Sequence, residues 1–275
     1  MQQAAFIDIF TTQNDLYGKN NCPIQFCCEF VSDDDMNDVE HPEKFMNPSK
    51  RKVFNIIPDE PIMMSGYIAS GFNTDDTRTS DYNGFTLDVS LTAIKKILSA
   101  VESRNIFLIG YNHLNYDIKV INENLLRVLG MDPCVFNDRF VIDVMRFAEA
   151  AIPVREIGNY TMDSVFTYLS GNPSKLNSIR QNKSTVTELK LTKMIMLSLV
   201  KRLGKKMSFS DIVDFINGQE KNQDTFTFGK YKGMKFSDVY GIDIGYLSWI
   251  VGNKELNKTK PYLVGNVKKL LSEVV

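Results

Sequence analysis

The chain carries little that would sort it quickly into a functional class. There are only two histidines, His41 and His113, and only four cysteines, Cys22, Cys27, Cys28 and Cys134. The cysteine spacing fits no zinc pattern, and Cys27-Cys28 lie side by side in an apolar run, so buried free thiols in a reducing compartment are the expectation. No apolar run reaches membrane-spanning length. The start, MQQAAFIDIF, has no basic segment followed by a long apolar stretch and is not expected to be a signal peptide. The formal net charge is −1, which excludes a global basic field that would draw the protein to nucleic acid. Any nucleic-acid surface has to be local.

What is present is ordinary globular composition over 275 residues, 43% hydrophobic and 24% charged, enough for one large domain and a small one. The expectation is an intracellular protein without membrane partners. Its Asn, Lys and Ile content is that of an AT-rich, virus-encoded gene. Residues 4–11 (AAFIDIFT) and 23–31 (PIQFCCEFV) read as strands. Residues 32–61, with DDD, Pro42, Pro48 and Pro58, read as a polar surface excursion, and 62–72 as a further strand. Helical periodicity spans 90–101. IFLIG (106–110) and FVIDV (140–144) are short buried strands. Helices follow over 115–129, 161–169, 185–203 and 208–218, several of them stopped by glycine. Strands grouped first and then alternating with helices predict a mixed α/β sheet, with its site at the carboxyl ends of strands. The polar stretch 219–225 reads as a linker between a domain of residues 1–218 and a small module of residues 226–275.

Three segments bear on chemistry. In FIDIFTT (6–12), alternation puts Ile7 and Ile9 on one face and Phe6, Asp8 and Phe10 on the other. A carboxylate inside an apolar strand is costly unless a cation, solvent or a helix N-terminus compensates it. In GYNHLNYD (110–117), Asn112 sits in a strand-to-helix turn and Asp117 in the first helical turn. The ordinary account there is that Asn115 caps the helix and Asp117 favours its dipole. In NKSTVTELKLTK (182–193), Glu188 either projects into the same site or closes a capping box with Thr185.

Taken together and in this order, these segments resemble the DEDD superfamily of 3′–5′ exonucleases, the DnaQ-like group. FIDIFTT matches its first motif at Asp8 and Thr11, and GYNHLNYD its second at Asn112 and Asp117. NKSTVTE matches its third in position, with Lys183 at the place of a histidine and Glu188 at that of an aspartate. The resemblance implies a ribonuclease-H-like mixed sheet flanked by helices. It also implies a two-ion site for Mg²⁺ or Mn²⁺ held by Asp8, Asp117 and Glu188, acting on single-stranded DNA or RNA ends, with Phe10, Thr11 and Asn112 beside the strand. A replication or repair protein is the further partner that it suggests. The C-terminal stretch FTFGKYKGMKFSDV…IGYLSWIVGN (225–253) resembles the small α+β module that follows the nuclease domain in exonuclease X-like proteins. Its Lys230, Lys232 and Lys235 lie among aromatics, a pattern that holds single strands. Tyr246 and Trp249, at helical spacing, are expected in the module's own core.

The departures matter. Phe10 stands where the family has a glutamate and supplies no oxygen. Lys183 is a poor base at neutral pH, and Ser184 occupies the place of the tyrosine that is the superfamily's other base. Lys183 could instead pair with a carboxylate and replace a missing cation. Asp143, on FVIDV, is expected to serve structure. Two readings follow: a metal-dependent exonuclease, weakened or working, in which Asp8, Asp117, Glu188 and Lys183 do the chemistry, or a silent nuclease fold that binds nucleic acid or recruits a protein.

Overall fold

The computed structural model describes residues 1–13, 21–38 and 40–273. The last two residues expected in the C-terminal module therefore lie outside the described residues.

A six-stranded mixed sheet has the order β4-β3-β2-β1-β5-β6. Its strands are β1 (Gln3–Thr11), β2 (Pro23–Ser32), β3 (Arg51–Ile57), β4 (Phe85–Thr86), β5 (Phe107–Gly110) and β6 (Val141–Asp143). β1 runs antiparallel to β2 and parallel to β5, so the first strand is central and buried on both faces. That explains the near-continuous apolar run FIDIF, in which the one carboxylate stands out. Alternation sorts the faces as expected. Ala4 and Phe6 pack with the Thr185–Arg202 helix and its neighbours on one side. Ala5, Ile7 and Ile9 pack with the Leu87–Ser103 and Asp117–Leu129 helices on the other. All four cysteines are buried, and none is in a disulfide. None of the described helices is long and apolar enough to cross a membrane.

Three sequence expectations change here. The stretch read as a surface excursion contains β3, which pairs with β2 through Gln25–Glu29. Residues read as a strand over 62–72 form the helix Met64–Ser70 instead. That helix lies so close to the end of β1 that a Cβ on Gly66 would collide with the Thr12 carbonyl. The helix expected over 208–218 runs Phe209–Lys221 and takes in part of the stretch read as a linker.

The C-terminal module is helical rather than α+β. Its helices are Phe236–Tyr240, Ile244–Gly252, Lys254–Thr259 and Pro261–Glu273, and the one β contact described in it is an isolated bridge between Thr225 and Lys235. Phe226, Phe236, Leu247, Ile250, Leu263 and Val267 form its core. It docks on the main body. Asn266 donates its amide to the Glu220 and Gln223 carbonyls, and Lys260 pairs with Glu149 at 3.0 Å.

Candidate functional site

Asp8 lies near the carboxyl end of β1, one step before the register shift at Phe10 and Thr11. Its Oδ2 is buried without a hydrogen-bond partner. Asp117 opens the helix after β5. Its Oδ1 accepts the Ile9 backbone N–H at 2.9 Å, which ties the second motif to the first. Asn115 does not cap this helix: Tyr116 is the N-cap residue, and Asn115 donates to Asn112 Oδ1 at 2.9 Å. Glu188 sits in the first turn of the Thr185–Arg202 helix, but the expected capping box is absent. Ser184 is the N-cap, and its side chain accepts from the Thr187 N–H. Glu188 is thereby left to face Asp8.

Glu188 has a partner that the sequence reading missed. Arg180, in the turn after the helix Pro173–Ile179, donates Nε to Oε1 at 3.0 Å and Nη2 to Oε2 at 2.7 Å, and Nη1 reaches Asp163 at 2.5 Å. Such a two-pronged fork is the strongest arginine–carboxylate geometry. The only signal in the sequence is an arginine three residues before Lys183. Lys183 is exposed, and its Nζ donates to the Ile68 carbonyl at 2.6 Å, so the lysine takes no part in the carboxylate cluster. The cation that the departures called for is present, in another residue.

The charges explain the protonation. Burial raises Asp8 well above the ordinary carboxylate range, Asp117 and Glu188 push it further, and Arg180 pulls it down. Burial lifts Asp117 to about 7 against the opposing pull of the Ile9 N–H. Asp8 and Asp117 line one cleft, whereas Glu188 bears on Asp8 electrostatically but is not among the residues that line it. Asp143 serves structure: its Oδ1 accepts the Asn112 N–H at 2.8 Å and the Met145 N–H at 2.9 Å, which fixes Asn112 in the left-handed region at φ 55°. His113 is fully buried against Gly110 and is pushed down to about 3 by burial, so it is neutral and does not reach the carboxylates' cleft.

A cleft of about 690 Å³ opens over Asp8 and Asp117. Tyr111, Asn112 and Met162 line its main-body side. Its far wall comes from the C-terminal module, with Thr227, Phe228, Gly229 and Lys232. Gly229, at φ 77°, brings backbone against the Tyr246 hydroxyl where a side chain would collide. Of the residues expected at nucleic acid, Asn112 and Lys232 face this cleft. Phe10 is buried away from its lining. Thr11 is also buried, and its Oγ1 is engaged by the Gln13 carbonyl and the Tyr116 hydroxyl. Lys230 pairs with Asp243 at 3.0 Å and Lys235 with Asp224 at 3.7 Å. The expectation for Trp249 is overturned: it is 53% exposed, because the apolar face of its helix that meets the module core is that of Leu247 and Ile250.

The residues do not fit a two-ion centre as they stand. Both Glu188 oxygens lie in the Arg180 fork, Asp117 Oδ1 is taken by a backbone N–H, and Phe10 offers no ligand. Among the described residues no group of three or more His, Cys, Asp or Glu converges to hold a metal ion.

Comparison with known proteins agrees with the architecture. Residues 226–255 match the family described as exodeoxyribonuclease X-like C-terminal. No curated protein matches in sequence. Among solved structures, the zinc-bound complex of E. coli exonuclease I with single-stranded DNA superposes with a TM-score of 0.55 at 16% identity, covering 80% of this chain and 44% of that one. A second exonuclease I structure gives 0.53 at 18% identity, over 81% and 45%. Exonuclease I from Methylocaldum szegediense gives 0.51 at 18%, over 79% and 43%. The chain spans less than half the length of these structures.

Proposed function

From a DnaQ-like, ribonuclease-H-like exonuclease fold joined to an exonuclease X-like C-terminal module, we propose that this protein binds single-stranded DNA or RNA ends without cutting them. Arg180 supplies the positive charge that divalent ions supply in a working exonuclease. The observation that carries this reading is the Arg180 fork on Glu188 beside Asp8. Burial raises both carboxyls, Asp117 to about 7, so Asp117 is about half protonated at neutrality and can then donate a hydrogen bond to a phosphate oxygen instead of repelling it. Lys232 adds positive charge at the wall of the cleft, while Arg180, held by Glu188 and Asp163, offsets negative charge behind Asp8. E. coli exonuclease I is named as a complex with single-stranded DNA, which supports the ligand class.

A second reading, an exonuclease dependent on Mg²⁺ or Mn²⁺, draws support from the unpartnered Asp8 Oδ2 facing Asp117. One experiment separates the two. End-labelled single-stranded oligonucleotides are incubated with Mg²⁺ or Mn²⁺ and the wild type, or with an Asp8→Ala, Asp117→Ala double variant. The expected result is intact oligonucleotide with binding that weakens in salt and as pH rises from 6 to 8, when Asp117 ionises. Metal-dependent shortening that the double variant loses would establish the exonuclease instead.

A further inference from the structure

The chain's single tryptophan is on the surface. Trp249 is not loose there. Its ring stacks on Tyr246 with centroids 5.6 Å apart and planes 29° apart. Tyr246 is in turn held edge-on by Phe226 at 5.5 Å and by Tyr231 at 5.0 Å. The result is a rigid aromatic step with an open face. An indole fixed in this way presents a flat π-face to solvent at little further cost in conformational freedom on binding.

That face borders a groove of about 830 Å³ between the module and the helix Asp117–Leu129. The groove is rimmed by Leu126, which is 65% exposed, and by amide side chains that include Asn115, Asn122 and Asn253. Its charged residues are Lys119, Glu123 and Glu255, one basic and two acidic, so it does not attract a phosphate backbone by charge. Asn122 is bonded to the Cys134 backbone, Asn253 caps its helix and Asn115 donates to Asn112, so the groove's open feature is the aromatic face, which suits the π-face of a nucleobase. Asn112 lines both this groove and the cleft over Asp8, so the two are continuous.

We propose that Trp249 on Tyr246 is a base-stacking platform for a single strand of nucleic acid whose end lies at the Asp8 cleft. The strand runs past Asn112, with its bases turned to the groove and its phosphates to solvent. This rests on the end-binding reading above and adds a second contact site, supplied by the C-terminal module.

Because Trp249 is the only tryptophan, its fluorescence reports the contact directly. Oligothymidylate and oligouridylate, each as a tetranucleotide and as a dodecanucleotide, are titrated into the full chain, with affinity followed separately by anisotropy. The dodecanucleotide of at least one sugar should quench Trp249. Trp249→Ala should weaken that dodecanucleotide by about tenfold or more, leave the tetranucleotide unchanged and leave the salt dependence unchanged, since no phosphate contact is lost. Trp249→Phe should recover most of the affinity. Strand binding with neither quenching nor loss in Trp249→Ala would overturn this inference while the end-binding reading stood. Failure of the wild type to bind any strand would overturn both.

Discussion

Two charge clusters lie on one face of β1, one step apart, and they are built differently. Phe6 belongs to the first and Asp8 to the second. In the first, Lys193 is wholly buried on the Thr185–Arg202 helix. Its ammonium donates to Glu29 and to the Phe45 carbonyl, and it lies 5.4 Å and 5.6 Å from the Phe6 and Phe45 ring centroids. Arg51 closes the cluster on Glu29 at 2.5 Å. In the second, on the same helix, Glu188 meets Arg180, but Asp8 is left with an oxygen that nothing satisfies. The first cluster is closed on itself and does the work of packing. The second leaves a buried carboxyl oxygen unsatisfied beside a cleft, and a native structure keeps such a deficit where something else is meant to bind.

The sharpest way to break this contrast is Glu29→Gln, which leaves Lys193 buried beside a neutral partner. Removing one member of a buried pair costs about 3–5 kcal/mol, read by urea unfolding. The double change Glu29→Gln with Lys193→Met should recover most of that. If Glu29→Gln cost no more than Glu188→Gln, the two clusters would be alike after all.

A smaller effect is expected from Asp117→Asn, which keeps an acceptor for the Ile9 N–H. The folded pKa of Asp117, about 7, lies above its unfolded value near 4. Its contribution to stability is therefore fully present below about pH 4 and is lost as pH rises through 7. Thermal unfolding from pH 5 to 8 should show the wild type falling relative to Asp117→Asn, with the variant more stable at pH 8. A constant difference over that range would mean that Asp117 is ionised throughout.

The smallest effect belongs to Lys183→Ala. Its exposed ammonium touches only a carbonyl at the end of the Met64–Ser70 helix. Stability should change by no more than about 0.5 kcal/mol and strand affinity should stay the same. A loss of binding would return Lys183 to the site in place of Arg180.

Most of the fold was legible because buried strands and glycine-stopped helices leave local patterns. β3 escaped because RKVFNII pairs through its backbone with β2 while its outer half stays exposed, so no apolar run marks it. Asp8 and Asp117 were legible as neighbours because their order and spacing follow a central strand and the helix after β5, whose packing is conventional. Arg180 was not, since it lies on an irregular turn and its partners are Glu188 and Asp163, which no spacing rule links to it. Trp249 was misplaced because helical periodicity says which residues share a face and not which face is covered.

The sequence by itself determined the order of elements, the acidic residues Asp8 and Asp117 and the apolar Phe10 beside them, because these depend on residue identity and local periodicity. Tertiary structure alone decided which cation meets Glu188, that the C-terminal module walls the Asp8 cleft, and that the one indole faces outward. Those are matters of long-range approach, set by how helices and turns pack on the sheet rather than by any neighbouring residue.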